Sequence, residues 1–281
     1  MAKWKDREYA TWADAAEAQR AESAPVAVLD LPPAEPDPVR APDPAPLTLT
    51  GNADPPAKRL SLVAKHRPRT LADVVGQPEA VATLRALVAD PYPCGIILAG
   101  ATGTGKTSAA YALAADLGCD LGANPPEFGG VWSIPAGDQS ADALREIWPK
   151  MWRIPFQSVN GWKVLIVNEV EQLNGTVERL WLDRLEEMPP RTVIVFTTNA
   201  PETLPARFVD RCTLIEFESA ADKLQAAARA LAAGIWREET GDEIPADVLQ
   251  KVMDRSNVLG GMSFRRTVQA LIPLLAGKVT A

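Results

Sequence analysis

The sequence predicts an α/β fold, with a parallel sheet covered by helices on both faces and a small helical domain after it. From Cys94 to Phe217, short β-branched apolar runs alternate with longer amphipathic runs. Continuous apolar strands separated by helices belong to parallel sheets buried on both sides. After residue 218 the strands stop and three helical stretches follow. A proline-rich beginning sets the first 57 residues apart from this folded part.

Residues 1–22 read as helical, with Trp4, Tyr9 and Trp12 as large apolar groups in a polar stretch. Such a helix either frays or docks into a partner's groove. Residues 23–57 read as a linker, because proline at this density removes backbone donors and favours extended chain. Ten of the 25 prolines lie before residue 57. Residues 1–57 are thus expected to be a disordered acidic extension. The predicted strands are CGIILAG, VWSI, KVLIVN, TVIVFTT and TLIEF. Between them, TSAAYALAADLG has helical spacing with Gly118 as C-cap, and SADALREIW starts at the N-cap Ser140. TVERLWLDRLEEM puts Val177, Leu180, Trp181, Leu185 and Met188 on one face. The last three helices have Pro245 in a first turn, Ser263 as N-cap and Gly277 as a stop.

Composition excludes several classes. The 281 residues are 47% apolar and 23% charged, ordinary for a globular chain. Residues 1–57 carry ten acidic and five basic side chains, so −5 of the total −7 lies there and −2 remains for the rest. That excludes a bulk basic coat for nucleic acid, though not a local basic face. Lys150, Arg153 and Lys163 are candidates for one, against the alternative of a solvated surface. Three cysteines, Cys94, Cys119 and Cys212, have neither disulfide nor zinc-module spacing. No apolar run approaches the roughly 20 residues of a membrane span. Lys3, Lys5 and Arg7 are not followed by an apolar segment, so the chain reads as cytoplasmic.

Residues 100–107, GATGTGKT, follow a predicted strand and open a predicted helix. This G-x-x-x-x-G-K-T pattern is a phosphate loop. Gly100, Gly103 and Gly105 let backbone N–H groups turn inward around phosphate oxygens, with Ala101, Thr102 and Thr104 between them. The helix N-terminus favours the anion. Lys106 reaches the β- and γ-phosphates, and Thr107 offers a hydroxyl to Mg2+. About 60 residues on, the strand KVLIVN ends at Asn168-Glu169. Such strand tips usually carry two acids, one steering the metal shell and one polarising water. Here Asn168 takes the first place, isosteric with Asp but neutral, and Glu169 is the candidate base, against a solvated loop carboxylate. Asn199, at the tip of TVIVFTT, would orient water beside the γ-phosphate, or cap a turn before Pro201. Arg211, at the domain rim, would reach a neighbouring subunit's nucleotide, or make a surface ion pair.

Taken together these residues resemble the AAA+ ATPases, within the P-loop NTPases, and specifically clamp-loader small subunits of the replication factor C and bacterial gamma/tau types. KHRPRTLADVVGQPEAVATLRALV (65–88) resembles the family segment that packs near adenine. The resemblance implies that Arg67, Val74 and Val75 line the nucleotide, with Pro68, Gly76 and Gln77 also at matching positions. GGMSFRRTVQAL resembles the family's lid motif, placing Arg265 at the γ-phosphate of its own subunit, against a solvated helix face. It implies ATP and Mg2+ as ligands, with Thr107 and Asn168 on the metal side. With the acidic Pro-rich extension over 1–57 set apart by its composition, the resemblance implies an AAA+ nucleotide-binding domain over 58–218 and a helical lid over 219–281. Partners would be AAA+ subunits in a ring or spiral, with a sliding clamp and primer-template DNA, and no membrane. Asn168 departs from the usual Asp, Asp210 from the Ser of S-R-C, and Pro135 from the polar residue that couples DNA to the glutamate. The gamma/tau zinc cysteines and the helical collar have no counterpart, so assembly is expected to rest on AAA+ contacts or the extension. Three functions follow as expectations: an ATP-hydrolysing subunit in DNA replication or repair, an ATP-binding assembly switch with weak hydrolysis, and an adaptor whose Trp-bearing tail recruits a partner.

Overall fold

The computed structural model describes residues 2–4, 7–9, 61–153, 155, 157–171, 175–258 and 261–279. The chain divides into two compact units, Met1–Ala57 and Lys58–Ala281. In the first, β1 (Ala2–Trp4) pairs antiparallel with β2 (Arg7–Tyr9). The expected helix is therefore corrected over these residues. A short isolated helix is marginal in water, and the aromatic residues of AKW and REY suit a strand. The rest of the expected helix, and the linker, lie outside the described residues.

The second unit opens with α1 (Leu62–Lys65), whose N-cap Ser61 accepts a hydrogen bond from the Ala64 amide, and α2 (Pro78–Ala89). Then follow β3 (Cys94–Ala99), α3 (Lys106–Asp116), β4 (Val131–Ile134), α4 (Ala141–Ile147) and β5 (Lys163–Val167). Next come α5 (Gly175–Glu186), β6 (Thr192–Thr198), α6 (Ala206–Val209) and β7 (Cys212–Glu216). The five strands form one parallel sheet in the order β4-β5-β6-β3-β7. Every residue of β5 and β6 is buried, which explains their unbroken apolar runs. Side chains alternate between two faces. One carries Ile96, Leu98, Val164, Ile166 and Val195 with Leu84 and Leu113. The other carries Ile97, Leu165, Val167 and Phe196 with Trp148, Trp181 and Phe208. The Phe196 ring meets those of Trp181 and Phe208 edge-on at 4.9 Å each. Register pairs Ala99 with Thr198, and Val167 with Phe196. The segments after β3, β5 and β6 thus leave the sheet at one edge, outside the strand carboxyl ends, where open α/β sheets bind ligands.

The lid comprises α7 (Ala221–Thr240), α8 (Ala246–Ser256), a short hairpin of β8 (Asn257–Val258) and β9 (Gly261–Met262), and α9 (Phe264–Val279). Leu224, Trp236, Met253, Phe264 and Leu271 form its core, and Leu62, Val63 and Val75 pack against it. The start of the unit therefore completes the lid at its end. The expected stop at Gly277 is corrected. α9 runs on to Val279, since one helical glycine costs only about 1 kcal/mol.

The candidate basic face does not form. Lys163 is buried in β5, and its ammonium donates to the Met151 carbonyl at 2.6 Å. Burial lowers its pKa, helped by Arg191. Its position at the start of a wholly buried strand takes it out of solvent, and its long stem lets the charge find an acceptor. Lys150 pairs with Glu146 at 2.8 Å, and Arg153 stays exposed. Among the described residues, no helix is long and apolar enough to cross a membrane.

Candidate nucleotide-binding site

A cavity of about 550 Å3 opens between the sheet edge and the lid. It is lined by Thr102, Gly103, Thr104, Gly105, Lys106 and Thr107 of the loop after β3, by Glu169, Thr197 and Asn199, by Arg67, Val74 and Val75, and by Phe264 and Arg265. Val74 packs on the sheet cluster and Val75 on the lid cluster. Arg67 stacks over the Tyr111 ring at 5.4 Å.

The loop is a preformed cradle. Gly103 and Gly105 have φ of +86° and +105°, the left-handed region that glycine enters freely. The Thr104 hydroxyl donates to the Ala101 carbonyl at 2.9 Å, closing the turn. At Gly103 a side chain would meet the lid: its Cβ would lie 2.1 Å from Ser263 Oγ. The Arg265 amide donates to the Gly103 carbonyl at 3.4 Å.

Lys106 is 7% exposed. Its ammonium donates to the carbonyls of Gly100 (2.6 Å) and Ala101 (2.9 Å) and to Asn199 Oδ1 (2.9 Å). Burial pushes its pKa down to about 8, with Glu171 and Glu169 acting to raise it and Arg265 to lower it. The Thr107 hydroxyl donates to Asn168 Oδ1 at 3.2 Å, and Asn168 Nδ2 faces Ser133 Oγ and the Ile134 carbonyl at 3.4 Å each. Thr107, Asn168 and Glu169 offer hydroxyl, amide and carboxylate oxygens, a hard donor set of the kind Mg2+ takes.

Glu169 has φ of +56°, a conformation that costs a non-glycine residue about 1–2 kcal/mol. Its neighbours hold it there. The amides of Glu169 and Val170 donate to the hydroxyl (3.1 Å) and carbonyl (3.0 Å) of Thr197. The Gln139 side-chain amide donates to the carbonyls of Asn168 and Glu169. Strain of this kind persists where surrounding contacts over-determine the backbone. Asn199 donates from both its backbone N and its Nδ2 to Glu171 Oε1, at 2.7 and 3.0 Å.

Arg211 lies apart from these groups. It immediately precedes β7, whose first residue Cys212 pairs with Gly95 near the start of β3. That is the far end of the sheet from Gly100. Its Nε donates to Glu186 Oε1 at 3.0 Å and its Nη1 to the Arg207 carbonyl at 2.9 Å.

Residues 96–219 match the family described as AAA, ATPase family associated with various cellular activities. A DNA polymerase III subunit gamma/tau of Mycobacterium tuberculosis is 30% identical over 236 residues, covering 78% of this chain and 39% of that protein. A replication factor C small subunit of Picrophilus torridus is 28% identical over 159 residues, covering 54% of this chain and 47% of the relative. Residues 96–219 form an AAA-type ATPase domain, and the chain is similar to clamp-loader subunits. It spans less than half the length of these relatives. A solved RuvB variant of Thermotoga maritima shares the fold, with a TM-score of 0.57 and 18% identity over 77% of this chain and 68% of that one.

The matched AAA+ segment holds the phosphate loop, Glu169, Asn199 and Arg211, while Arg67, Val74, Val75 and Arg265 reach the cavity from either side of it. Sequence reading passed over Glu171, Gln139 and Thr197 around this cavity, and took Ser263 only as an N-cap. Thr197 sits at the tip of β6, and Glu171 lies two residues after Glu169; that nearness to residues already singled out was the available signal. Gln139 lies in a loop with no such neighbour. Gln77, noted only for its place in a motif, is buried. Its amide clasps the Glu218 backbone, donating to O at 2.9 Å and accepting from N at 2.8 Å. That bridge ties the start of α2 to the approach to the lid.

Proposed function

We propose that the chain binds ATP with Mg2+ between its α/β domain (58–218) and its lid (219–281), and hydrolyses it. The observation that carries this reading is the cavity into which the phosphate loop, Glu169, Asn199 and the lid's Arg265 all converge. Backbone amides of residues 102–107 cradle the β- and γ-phosphates at the N-terminus of α3. Lys106 exchanges its loop carbonyls for phosphate oxygens. Mg2+ held near Thr107 and Asn168 would neutralise charge that develops on the phosphates. Glu169 takes a proton from the attacking water, Asn199 holds that water, and Arg265 contacts the γ-phosphate from the lid. Arg211 completes the site of an adjacent AAA+ subunit, so hydrolysis depends on assembly. The likeness to clamp-loader subunits supports work in the cytoplasm on primer-template DNA with a sliding clamp, in replication or repair. Residues 1–57 act as an acidic extension.

A second reading has its own observation. Asn168 offers Thr107 a neutral amide oxygen where a carboxylate would bind about twice as strongly. This favours a nucleotide-dependent assembly switch with slow turnover. Two measurements decide between the readings. ATP affinity by calorimetry is expected to fall at least about tenfold in Lys106→Ala, a loss of about 1.4 kcal/mol. Unchanged affinity refutes the site. The rate per subunit is expected to rise with protein concentration and to vanish in Glu169→Gln. A flat profile removes Arg211 from the site, and tight binding without turnover establishes the switch.

A further inference from the structure

We propose that Glu171 is a positioning residue that fixes the Asn199 amide with its oxygen facing Lys106 and its nitrogen turned away. The inference rests on the nucleotide reading above and adds the orientation of one polar group within that site. A single carboxylate oxygen of Glu171 accepts from both donors of Asn199, at 2.7 and 3.0 Å. The remaining polar atom of that side chain, Oδ1, accepts from Lys106 at 2.9 Å. The network admits one assignment. A carboxylate only accepts and an ammonium only donates, so the amide nitrogen must face Glu171 and the oxygen must face Lys106. The Thr203 hydroxyl lies between the carbonyls of Glu171 (3.1 Å) and Ala200 (2.8 Å).

This orientation restricts what Asn199 does. Its donors are committed to Glu171, so it presents an acceptor to the cavity. A phosphate oxygen is also an acceptor and gains nothing from it. A donor does gain: the Lys106 ammonium, or a hydrogen of a bound water. A water giving one hydrogen to Asn199 Oδ1 and the other to Glu169 keeps a lone pair for phosphorus. Glu171 thereby converts Asn199 from a phosphate donor into a water holder.

The test uses the full chain as wild type, Glu171→Gln and Glu171→Ala, with thermal melts confirming the fold of each. The Asn199 side-chain amide is observed by NMR without nucleotide, and ATP affinity and turnover are measured for each. Its NH2 signal is expected to keep a hydrogen-bonded position in wild type and Glu171→Gln, and to shift in Glu171→Ala, where the acceptor is gone. The Gln variant keeps an acceptor for Asn199, so it retains turnover. The Ala variant loses roughly tenfold in turnover, the effect of one orienting hydrogen bond, with affinity at pH 6.5 little changed. An Asn199 NH2 signal unmoved in Glu171→Ala overturns the proposal. So does tighter ATP binding or faster turnover in Glu171→Ala, which would make Asn199 a phosphate donor freed by the change. If that signal moves but wild type binds no nucleotide, the nucleotide reading fails and the Glu171 network stands.

Discussion

A methyl group added at Gly103 measures how closely the lid rests on the phosphate loop. In Gly103→Ala the new Cβ would lie 2.1 Å from Ser263 Oγ and 3.2 Å from Ser263 Cβ. Two costs follow. A φ of +86° costs alanine about 1–2 kcal/mol. The Ser263 hydroxyl must also swing away, leaving the Arg266 amide that it caps at 3.4 Å, which costs about 1 kcal/mol. The sum is about 2–3 kcal/mol, and in a unit of this size each kcal/mol lowers Tm by about 2–4 °C. A fall of about 5–10 °C is therefore expected by calorimetry. A double-mutant cycle separates the two parts. Ser263→Ala alone loses the cap, about 1 kcal/mol. Combined with Gly103→Ala it adds little, because the clashing oxygen is gone, so the coupling is about 1 kcal/mol. Strict additivity, or a single-variant cost below about 0.5 kcal/mol, would refute direct contact between lid and loop.

Asn168→Asp should act in opposite directions on the free and the working protein. A carboxylate oxygen would face the Ile134 carbonyl where Nδ2 now sits at 3.4 Å, so Tm falls by about 2–4 °C for about 1 kcal/mol. The charge strengthens the contact with Thr107 and the metal side, so the Mg2+ concentration for half-maximal ATPase falls and turnover rises. No change in either magnesium dependence or turnover would refute this. Glu218 predicts a second effect, in acid. Lys223, with the amides of Ala220 and Ser219, holds its carboxyl down to about 2, against an ordinary 4.5. A depressed carboxyl stabilises the fold above its unfolded value, and that stability is lost as pH falls through about 4.5 toward 2. Protection against hydrogen exchange at the start of α7, relative to the intrinsic rate at each pH, is expected to fall across that window more than at the buried strands. In Glu218→Gln the pH dependence disappears.

The parts of the site legible in sequence are those built from adjacent residues. The phosphate loop is one continuous stretch between a strand and a helix, so its glycines, Lys106 and Thr107 could be read in place. Asn168, Glu169 and Asn199 were readable because an apolar run marks where a strand ends, and parallel register brings strand ends together. Arg67 and Arg265 needed the motif resemblance, since nothing local shows that residues about 200 apart line one cavity. The Lys163 ammonium misled because a lysine beginning a strand looks the same in sequence whether it faces water or the Met151 carbonyl. Gln139 and Glu171 act through backbone carbonyls and another side chain's amide, contacts that exist only once the sheet has formed.

The packing of Leu62, Val63 and Val75 against the lid core has a consequence for biogenesis. These residues leave the ribosome about 200 residues before Phe264 and Leu271. At the ordinary pace of translation that interval is about 10–40 s. The sheet can form during it, but the first helix has no apolar surface of its own to settle on. The nascent chain therefore carries a sticky segment ahead of a finished α/β layer, and the nucleotide cavity is the last part of the molecule to close.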